Sequence, residues 1–268
     1  MIVINPQWQG SGTTSELAVG AATFKALLNN EFEQIPLSTK ELSQSHDIIG
    51  YNPILEQTHY FQQLISKTCP ETIVTFGGDC GVEIIPVSYL NQRYKSRLAL
   101  IWLDAHADLN TPQSSPSKHF HGMPLRMLLG EGDEKIKAML FSRLEPEQVF
   151  LIGLRDTDPA EEEYIEQNNI FTATAIRYSA LKEQLVSRGF THIYIHLDLD
   201  VLDPKEYPFV KCPTAGGLSI SEVEDLIERL KNDFFMVGAC ITESTANKPQ
   251  DLWPIRQLLH QLRYTKSH

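Results

Sequence analysis

Two stretches of the sequence, residues 98–103 and 192–198, are almost continuously apolar, and an acidic residue stands at or just beyond the end of each. Such runs are typical of central strands in a parallel sheet, because those strands are buried on both faces. In an open parallel sheet, ligands bind in the crevice outside the carboxyl ends of the strands. The two stretches therefore predict a parallel sheet with acidic side chains gathered at one edge.

The rest of the chain alternates between short strand-like runs and longer helix-like segments, with no internal repeat and no linker. This alternation predicts one α/β domain over residues 1–268, with a mainly parallel sheet covered by helices on both faces. Ser221 and Glu224 have the spacing of a capping box at a helix start. Further strands are expected at 2–4, 34–37, 47–51, 72–76, 149–153 and 234–241, and helices at 15–29, 54–67, 81–95, 160–167, 179–188 and 221–231.

Charge and cysteine content argue against several classes of protein. The chain has 23 Lys and Arg against 34 Asp and Glu, a formal net charge of −11, which disfavours a nucleic-acid binder or a binder of anionic membranes. No apolar run approaches the ~18 residues that span a bilayer, and the N-terminus lacks a signal-peptide pattern. The four cysteines lack CxxC spacing. We therefore predict a cytoplasmic protein with reduced thiols.

Carboxylates and one imidazole follow the two apolar stretches. Asp104, His106 and Asp108 stand two residues apart, and Asp198 and Asp200 repeat that spacing. Side chains at this spacing on an extended backbone point the same way, and carboxylates in one crevice repel one another unless a cation lies among them. One such pair often only caps a helix or closes a turn. Two pairs, each after a buried strand, predict a site for one or two divalent metal ions.

Seven motifs carry a resemblance to the ureohydrolase family, which includes arginase and agmatinase. In family order they are GGDC (77–80), DAHADLNTP (104–112), HGMP (121–124), IGLRDTDP (152–159), DLDVLDP (198–204), GGL (216–218) and the Glu243 of ITES. The resemblance implies a three-layer α/β/α fold with a mainly parallel eight-stranded sheet, a pair of Mn²⁺ ions, and a homo-oligomer that is a trimer or hexamer. The implied metal ligands are Cys80, Asp104, His106, Asp108, Asp198 and Asp200, with Asp104 and Asp198 bridging the two ions.

The resemblance also implies how a substrate is held. Asn110 and Ser117 match the positions that bind an α-carboxylate in arginases, and Asp158 matches the acid that binds the α-amino group. Glu243 matches the guanidinium anchor, and His121 matches a proton shuttle. Without the family, the segment TPQSSPSKH would be interpreted as an ordinary polar loop. The matches favour hydrolysis of L-arginine or a close derivative to ornithine plus urea or a urea derivative.

Three positions depart from the family pattern. Cys80 replaces the usual metal-ligand His, Cys212 stands where arginases carry a Thr near the guanidinium, and His119 stands where they carry an Asn near the carboxylate-binding loop. Cys80 has three interpretations, in this order: a thiolate ligand, a neighbour that leaves one metal site weak, or a nucleophile. A thiolate ligand would favour Zn²⁺, Fe²⁺ or Co²⁺ over Mn²⁺.

Two alternatives to arginine hydrolysis stay open. Nω-hydroxy-L-arginine keeps both amino-acid groups and changes only the end that faces Cys80 and Cys212, and its hydrolysis would give hydroxyurea and ornithine. A degenerate ureohydrolase would instead bind a guanidino ligand without turnover, and it should gain little thermal stability from Mn²⁺. If the chain is a hydrolase, the expected catalytic residues are Asp108, His121 and Glu243.

Overall fold

The strands lie in one large sheet and one small ribbon in this computed structural model, which describes residues 1–12, 14–28 and 31–263. They are β1 (Ile2–Asn5), β2 (Glu33–Gln34), β3 (Gln44–Ser45), β4 (Ile48–Ile49), β5 (Ile73–Gly77), β6 (Leu98–Leu103), β7 (Val149–Ile152), β8 (Phe171–Ala173), β9 (His192–Asp198) and β10 (Phe235–Thr242). Eight of them form a parallel sheet in the order β2-β1-β5-β10-β9-β6-β7-β8. The prediction of a parallel eight-stranded sheet is confirmed.

Helices cover both faces of this sheet. They are α1 (Glu16–Thr23), α2 (Tyr51–Thr68), α3 (Ile84–Tyr94), α4 (Pro124–Leu128), α5 (Glu134–Lys137), α6 (Pro159–Gln167), α7 (Tyr178–Ser187), α8 (Ile220–Asp233) and α9 (Arg256–Arg263). Apolar residues of α1, α7, α8 and α9 join the core on one face, and those of α2 to α6 join the core on the other. The three-layer α/β/α arrangement is confirmed.

The two stretches that predicted the sheet are its neighbouring central strands. Every residue of β6 and of β9 is buried, and the strands pair in parallel with Leu103 opposite Leu197. On the other side of β9, Asp198 pairs with Thr242 of β10. Because parallel strands end at the same edge, the residues that follow β5, β10, β9 and β6 come together there.

Some local predictions were wrong. The expected strand at 47–51 is only the short β4, which pairs antiparallel with β3 outside the main sheet, and α2 already begins at Tyr51, after Gly50 in the left-handed conformation. The capping box at the start of α8 is formed by Ser219 and Glu222 instead of Ser221 and Glu224: the Glu222 amide donates to Ser219 Oγ, and the Ser219 amide donates to Glu222 Oε2.

Five elements within the described residues were not predicted, β3, β8, α4, α5 and α9, and one prediction extends beyond those residues. Strand β8 at the edge of the sheet has three residues and no fully buried one, so it lacks the apolar run of a central strand. Helix α9 was also missed. The helix expected at 15–29 ends on Asn29, which lies outside the described residues. Among the helices within the described ranges, none has the length and apolarity needed to cross a membrane.

Candidate metal centre

Four adjacent strands deliver the candidate site residues to one edge of the sheet. Asp104 directly follows β6, Asp198 ends β9, Glu243 directly follows β10, and Cys80 lies three residues beyond β5. All four side chains are buried. Glu243 has a φ of 61° and Asp108 a φ of 53°, a left-handed backbone that residues with a Cβ rarely adopt and that tends to occur at functional sites.

A first cluster of ligand atoms consists of Asp104, His106 and Asp200. His106 Nδ1 lies 3.1 Å from Asp200 Oδ2 and 3.4 Å from Asp104 Oδ1. Backbone amides fix both carboxylates: the His106 amide donates to Asp104 Oδ1 at 2.7 Å, and the Ala105 amide donates to Asp200 Oδ1 at 3.1 Å. The three ligand atoms lie within 4.8 Å of one another, close enough to share one metal ion.

A second cluster consists of Cys80, Asp104, His196 and Asp198, again with ligand atoms within 4.8 Å of one another. Cys80 Sγ lies 3.0 Å from Asp198 Oδ2, and the Asp200 amide donates to Asp198 Oδ1 at 2.8 Å. Asp104 belongs to both clusters: its Oδ1 faces His106, while its Oδ2 lies 3.5 Å from His196 Nε2. One carboxylate therefore lies between two possible cation positions.

The acidic side chains of this site repel one another. Burial raises the pKa of Asp198 well above its usual value, and the charges of Asp200 and Asp104 raise it further. Burial and Asp104 likewise raise the pKa of Asp108, and burial with the same neighbour raises that of Asp200 to about 6. Burial and then Asp198 raise the pKa of Cys80. Burial and mutual repulsion thus disfavour ionisation of these acids, and bound cations would offset that cost.

The imidazole of His106 compensates part of this negative charge. Burial disfavours the charged form of His106, but hydrogen bonds to Asp104 and Asp200 outweigh burial and raise its pKa. Beside the two clusters, Asp108 Oδ2 and Glu243 Oε2 are buried and have no hydrogen-bond partner among the residues that the structure describes. Because a buried unpaired carboxylate oxygen is costly, the donor set fits metal ions at the two clusters and a positively charged ligand at Glu243.

Asp108, His121 and Glu243 border the two clusters. Asp108 is in neither group of mutually close ligand atoms, so its role as a ligand stays a prediction. His121 Nδ1 lies 3.4 Å from Glu243 Oε1, which also accepts a hydrogen bond from the Cys80 amide at 3.2 Å. Burial works against a charged His121, but Glu243 more than offsets burial and raises its pKa. The pair thus places a proton-holding imidazole beside the candidate guanidinium anchor.

The predicted contacts to the far end of a substrate lie in the loops around this edge. Asn110 is buried, and its Nδ2 donates to Asp158 Oδ2 at 2.8 Å. Ser117 is exposed and accepts a hydrogen bond from the His119 amide at 3.2 Å. The His119 and His121 rings are 5.8 Å apart.

Cys212 is half-buried. Burial, followed by the charge of Glu243, raises the pKa of its thiol to about 12.

Sequence reasoning missed several residues under the site. His196 and Glu83 are fully buried side by side, with His196 Nδ1 2.9 Å from Glu83 Oε1. Trp102 Nε1 donates to Asp104 Oδ2 at 3.0 Å. Arg155 Nη2 donates to the carbonyls of Asp200 and Thr214, which ties the loop after β9 to the following segment. His196 could have been found from its position two residues before Asp198, because strand residues at that spacing share a face.

Comparisons with known proteins agree with this arrangement. The sequence model of the arginase family matches residues 18–248. The chain is 35% identical over 199 residues to an arginase of Staphylococcus aureus strain MRSA252, covering 70% of this chain but only 66% of that relative's length. It is 30% identical over 220 residues to an arginase of Bacillus subtilis strain 168, covering 78% of this chain and 74% of that protein.

Solved structures agree at the level of the fold. The structure of Entamoeba histolytica arginase in complex with L-ornithine superposes with a TM-score of 0.85 at 18% identity over 97% of each chain. That of Bacillus subtilis arginase superposes with a TM-score of 0.80 at 24% identity, over 100% of this chain and 99% of that one. The three-layer fold is thus shared with solved members of this group.

Proposed function

The chain belongs to the arginase family, and on that premise we propose that it is a metal-dependent amidinohydrolase acting on L-arginine or a close derivative. The observation that carries the proposal is the position of Asp104. It is shared by two clusters of metal-ligating atoms, and the unpaired Oε2 of the candidate guanidinium anchor Glu243 is buried at the same edge of the sheet. Products would be ornithine and urea.

The proposed ligands are those expected from the sequence, Cys80, Asp104, His106, Asp108, Asp198 and Asp200. Divalent ions at these residues would supply Lewis acidity that makes water a better nucleophile at neutral pH. We keep Mn²⁺ as the proposed metal for the cluster of Asp104, His106 and Asp200, because carboxylates with one imidazole suit that ion.

The protein's own groups would orient the substrate and move protons. Glu243 Oε2 is the proposed acceptor for guanidinium N–H groups, and the Cys80 amide holds the other oxygen of that carboxylate in place. Asn110, Ser117 and His119 would face the α-carboxylate, and Asp158 would face the α-amino group. Water would add to the guanidino carbon to give a tetrahedral adduct, and this adduct would then collapse with cleavage of the bond to the side-chain nitrogen. Asp108 is the proposed acceptor of the hydrogen bond from the water oxygen, and His121 would protonate the departing amine.

The proposed function is tested by measuring kcat/KM of reduced, Mn²⁺-reconstituted protein on L-arginine, Nω-hydroxy-L-arginine and agmatine. We expect L-arginine to exceed agmatine by at least roughly 10-fold, because a hydrogen bond to a charged group contributes about 1.5–3 kcal/mol and agmatine lacks the carboxylate. A strong preference for the hydroxy compound would instead assign Cys80 and Cys212 to a specialised pocket. Turnover of none of the three would contradict the hydrolase proposal and favour a binding protein.

Metal uptake should release protons. The raised pKa values of Cys80, Asp108 and Asp198 mean that these groups keep their protons to higher pH than usual when no cation is present. A metal ion must displace those protons, so binding should tighten as pH rises. Calorimetric titration of metal-free protein in two buffers of different ionisation enthalpy measures the release directly. Proton-neutral binding, equally tight at about pH 6 and about pH 8, would contradict the raised pKa values.

Three further properties belong to the same proposal. We propose one domain over residues 1–268, because strands from β1 to β10 share one sheet. We also propose a cytoplasmic location, from the pattern of isolated cysteines, and a homo-oligomer of three or six chains, from the family. Size-exclusion chromatography with light scattering tests the last of these.

A further inference from the structure

We propose that His196 is a metal ligand, and that with Cys80, Asp104 and Asp198 it forms a four-ligand site for a cation softer than Mn²⁺, such as Zn²⁺, Fe²⁺ or Co²⁺. The inference rests on the proposed function only in that both require a metal centre at this edge of the sheet. It concerns a residue that the family motifs do not include, and it would hold whichever guanidino compound is the substrate.

The first observation is the position of the ring. His196 is fully buried in β9, two residues before Asp198 and therefore on the same face of the strand. Its Nε2 lies 3.5 Å from Asp104 Oδ2, and Cys80 Sγ lies 3.0 Å from Asp198 Oδ2. All four ligand atoms lie within 4.8 Å of one another. Tetrahedral zinc needs such atoms roughly 3.3–3.8 Å apart, so a small contraction would complete the site.

The second observation is the carboxylate behind the ring. Metal-binding histidines usually direct their other nitrogen to a carboxylate, which fixes the ring and its tautomer. Here His196 Nδ1 lies 2.9 Å from Glu83 Oε1, and both side chains are fully buried. Both ring nitrogens and both Glu83 oxygens are buried, and none of the four has a hydrogen-bond partner within the described part of the chain. Burying such a pair in a core costs free energy, and a metal ion bound at His196 Nε2 would account for its presence.

The third observation is the support on the ring face. Trp102 stacks on His196 with ring centroids 3.5 Å apart and planes inclined by 15°. The same Trp102 donates its indole N–H to Asp104 Oδ2, the oxygen that faces His196. One side chain thus orients two of the four proposed ligands. Ligands held in this way by a second layer of residues are typical of a built metal site.

The two departures from the family ligand set are consistent with each other. Cys80 removes an imidazole from the usual position, and His196 brings one to the same cluster from the neighbouring part of the sheet. The resulting donors are one sulfur, one nitrogen and two carboxylates, a set that suits borderline and soft cations better than Mn²⁺. The other cluster keeps only carboxylates and His106. We therefore expect two unlike metal positions that share Asp104.

The test is a titration of metal-free, reduced protein with Co²⁺, followed by optical absorption. Wild-type protein should take up two ions, one of them with a sulfur-to-cobalt charge-transfer band and the strong visible absorption of tetrahedral cobalt. The variant His196→Asn keeps a polar group beside Glu83 but cannot reach the ion, and it should bind that ion at least about 10-fold more weakly. Cys80→Ser should lose the charge-transfer band.

The matched control is His192→Asn, in the same strand and four residues away, or about 13 Å. His192 is also buried, stacks on Tyr94 and has its Nδ1 2.9 Å from Thr191 Oγ1. It should bind cobalt like the wild type. Identical cobalt spectra and affinities for His196→Asn and His192→Asn would overturn the proposal.

A second measurement needs no variant and is not affected by misfolding. Anomalous diffraction from wild-type crystals grown with Zn²⁺ should show an ion about 2.0–2.1 Å from His196 Nε2. An ion at Cys80, Asp104 and Asp198 that His196 does not contact, or no ion at this cluster, would overturn the proposal. Neither readout uses a substrate. Failure to hydrolyse guanidino compounds therefore leaves this inference standing, and a failed ligand assignment leaves the proposed activity standing.

Discussion

Asp198→Asn is expected to stabilise the metal-free protein while it removes metal binding and activity. The kcat/KM should fall by roughly 10²–10³-fold or more, the size of effect seen when one electrostatic group is removed from an active site. The melting temperature of the metal-free variant should rise, by about 2–4 °C for each kcal/mol of repulsion relieved. Metal analysis, turnover and thermal unfolding on the same preparations measure the three effects.

The physical reason is the crowding of acids at this edge of the sheet. Burial, Asp200 and Asp104 raise the pKa of Asp198, so in the metal-free protein folding makes ionisation of this acid less favourable than in the unfolded chain. The stability that this group contributes is present at pH below the ordinary carboxyl range and is lost as pH rises through the raised pKa. Asn stays neutral, and its oxygen can still accept the Asp200 amide hydrogen bond. The gain in melting temperature should therefore grow with pH.

The control is Asp156→Asn, the same change at a largely exposed acid whose carboxylate lies 3.7 Å from His106 Nε2. Surface substitutions of this kind usually alter stability by less than about 0.5 kcal/mol. A loss of melting temperature in metal-free Asp198→Asn would contradict the repulsion at this site. Unchanged metal content would contradict the role of Asp198 as a ligand.

The sheet could be predicted because the composition of its central strands indicates that they are buried. Every residue of β6 and of β9 is buried, and the acids at or just after their ends mark the edge where ligands bind. Strands β8 and β3 could not be predicted, because short strands without a fully buried residue have no apolar run of their own. Their pairing depends on neighbours that only the fold supplies.

The site could be predicted only in part, for a similar reason. Asp104, His106, Asp198 and Asp200 come together because each pair follows one of two adjacent strands. His196 sits inside the apolar run of β9, where a single imidazole is ordinarily interpreted as part of the core. The proposal that His196 is a metal ligand depends on its contact with Glu83. That residue lies in the turn before α3 and is more than a hundred positions away in sequence. Local spacing places His196 on the same face of β9 as Asp198, but it does not reveal the contact with Glu83.

Glu243→Gln is expected to remove activity and leave metal content unchanged, which would separate substrate binding from metal binding. Glu243 Oε2 is buried without a hydrogen-bond partner, whereas Oε1 accepts the Cys80 amide. A guanidinium would complete a buried, charged hydrogen-bonded pair, and losing one member of such a pair costs about 2–5 kcal/mol. The kcat/KM on the guanidino substrate should therefore fall by roughly 30-fold to 5,000-fold, one factor of ten for each ~1.4 kcal/mol.

The same variant should change the pH dependence of turnover. Burial lowers the pKa of His121, and the carboxylate of Glu243 at 3.4 Å is what raises it above the ordinary value. With a neutral Gln beside it, His121 should lose its proton at lower pH, and any limb of the pH–rate profile that reports its protonated form should move in that direction. A purely structural role for Glu243 would lower activity at every pH without moving that limb.

Glu162→Gln serves as the control, because its carboxylate accepts a surface hydrogen bond from Thr157 on the neighbouring loop. This variant should keep the wild-type kcat/KM and pH profile. If Glu243→Gln lost metal as well as activity, Glu243 would have to be assigned to the metal centre, and the unpaired oxygen would face a cation rather than the substrate. If it kept full activity, the guanidinium would need another acceptor, and the half-buried segment around Cys212 would be the next place to search.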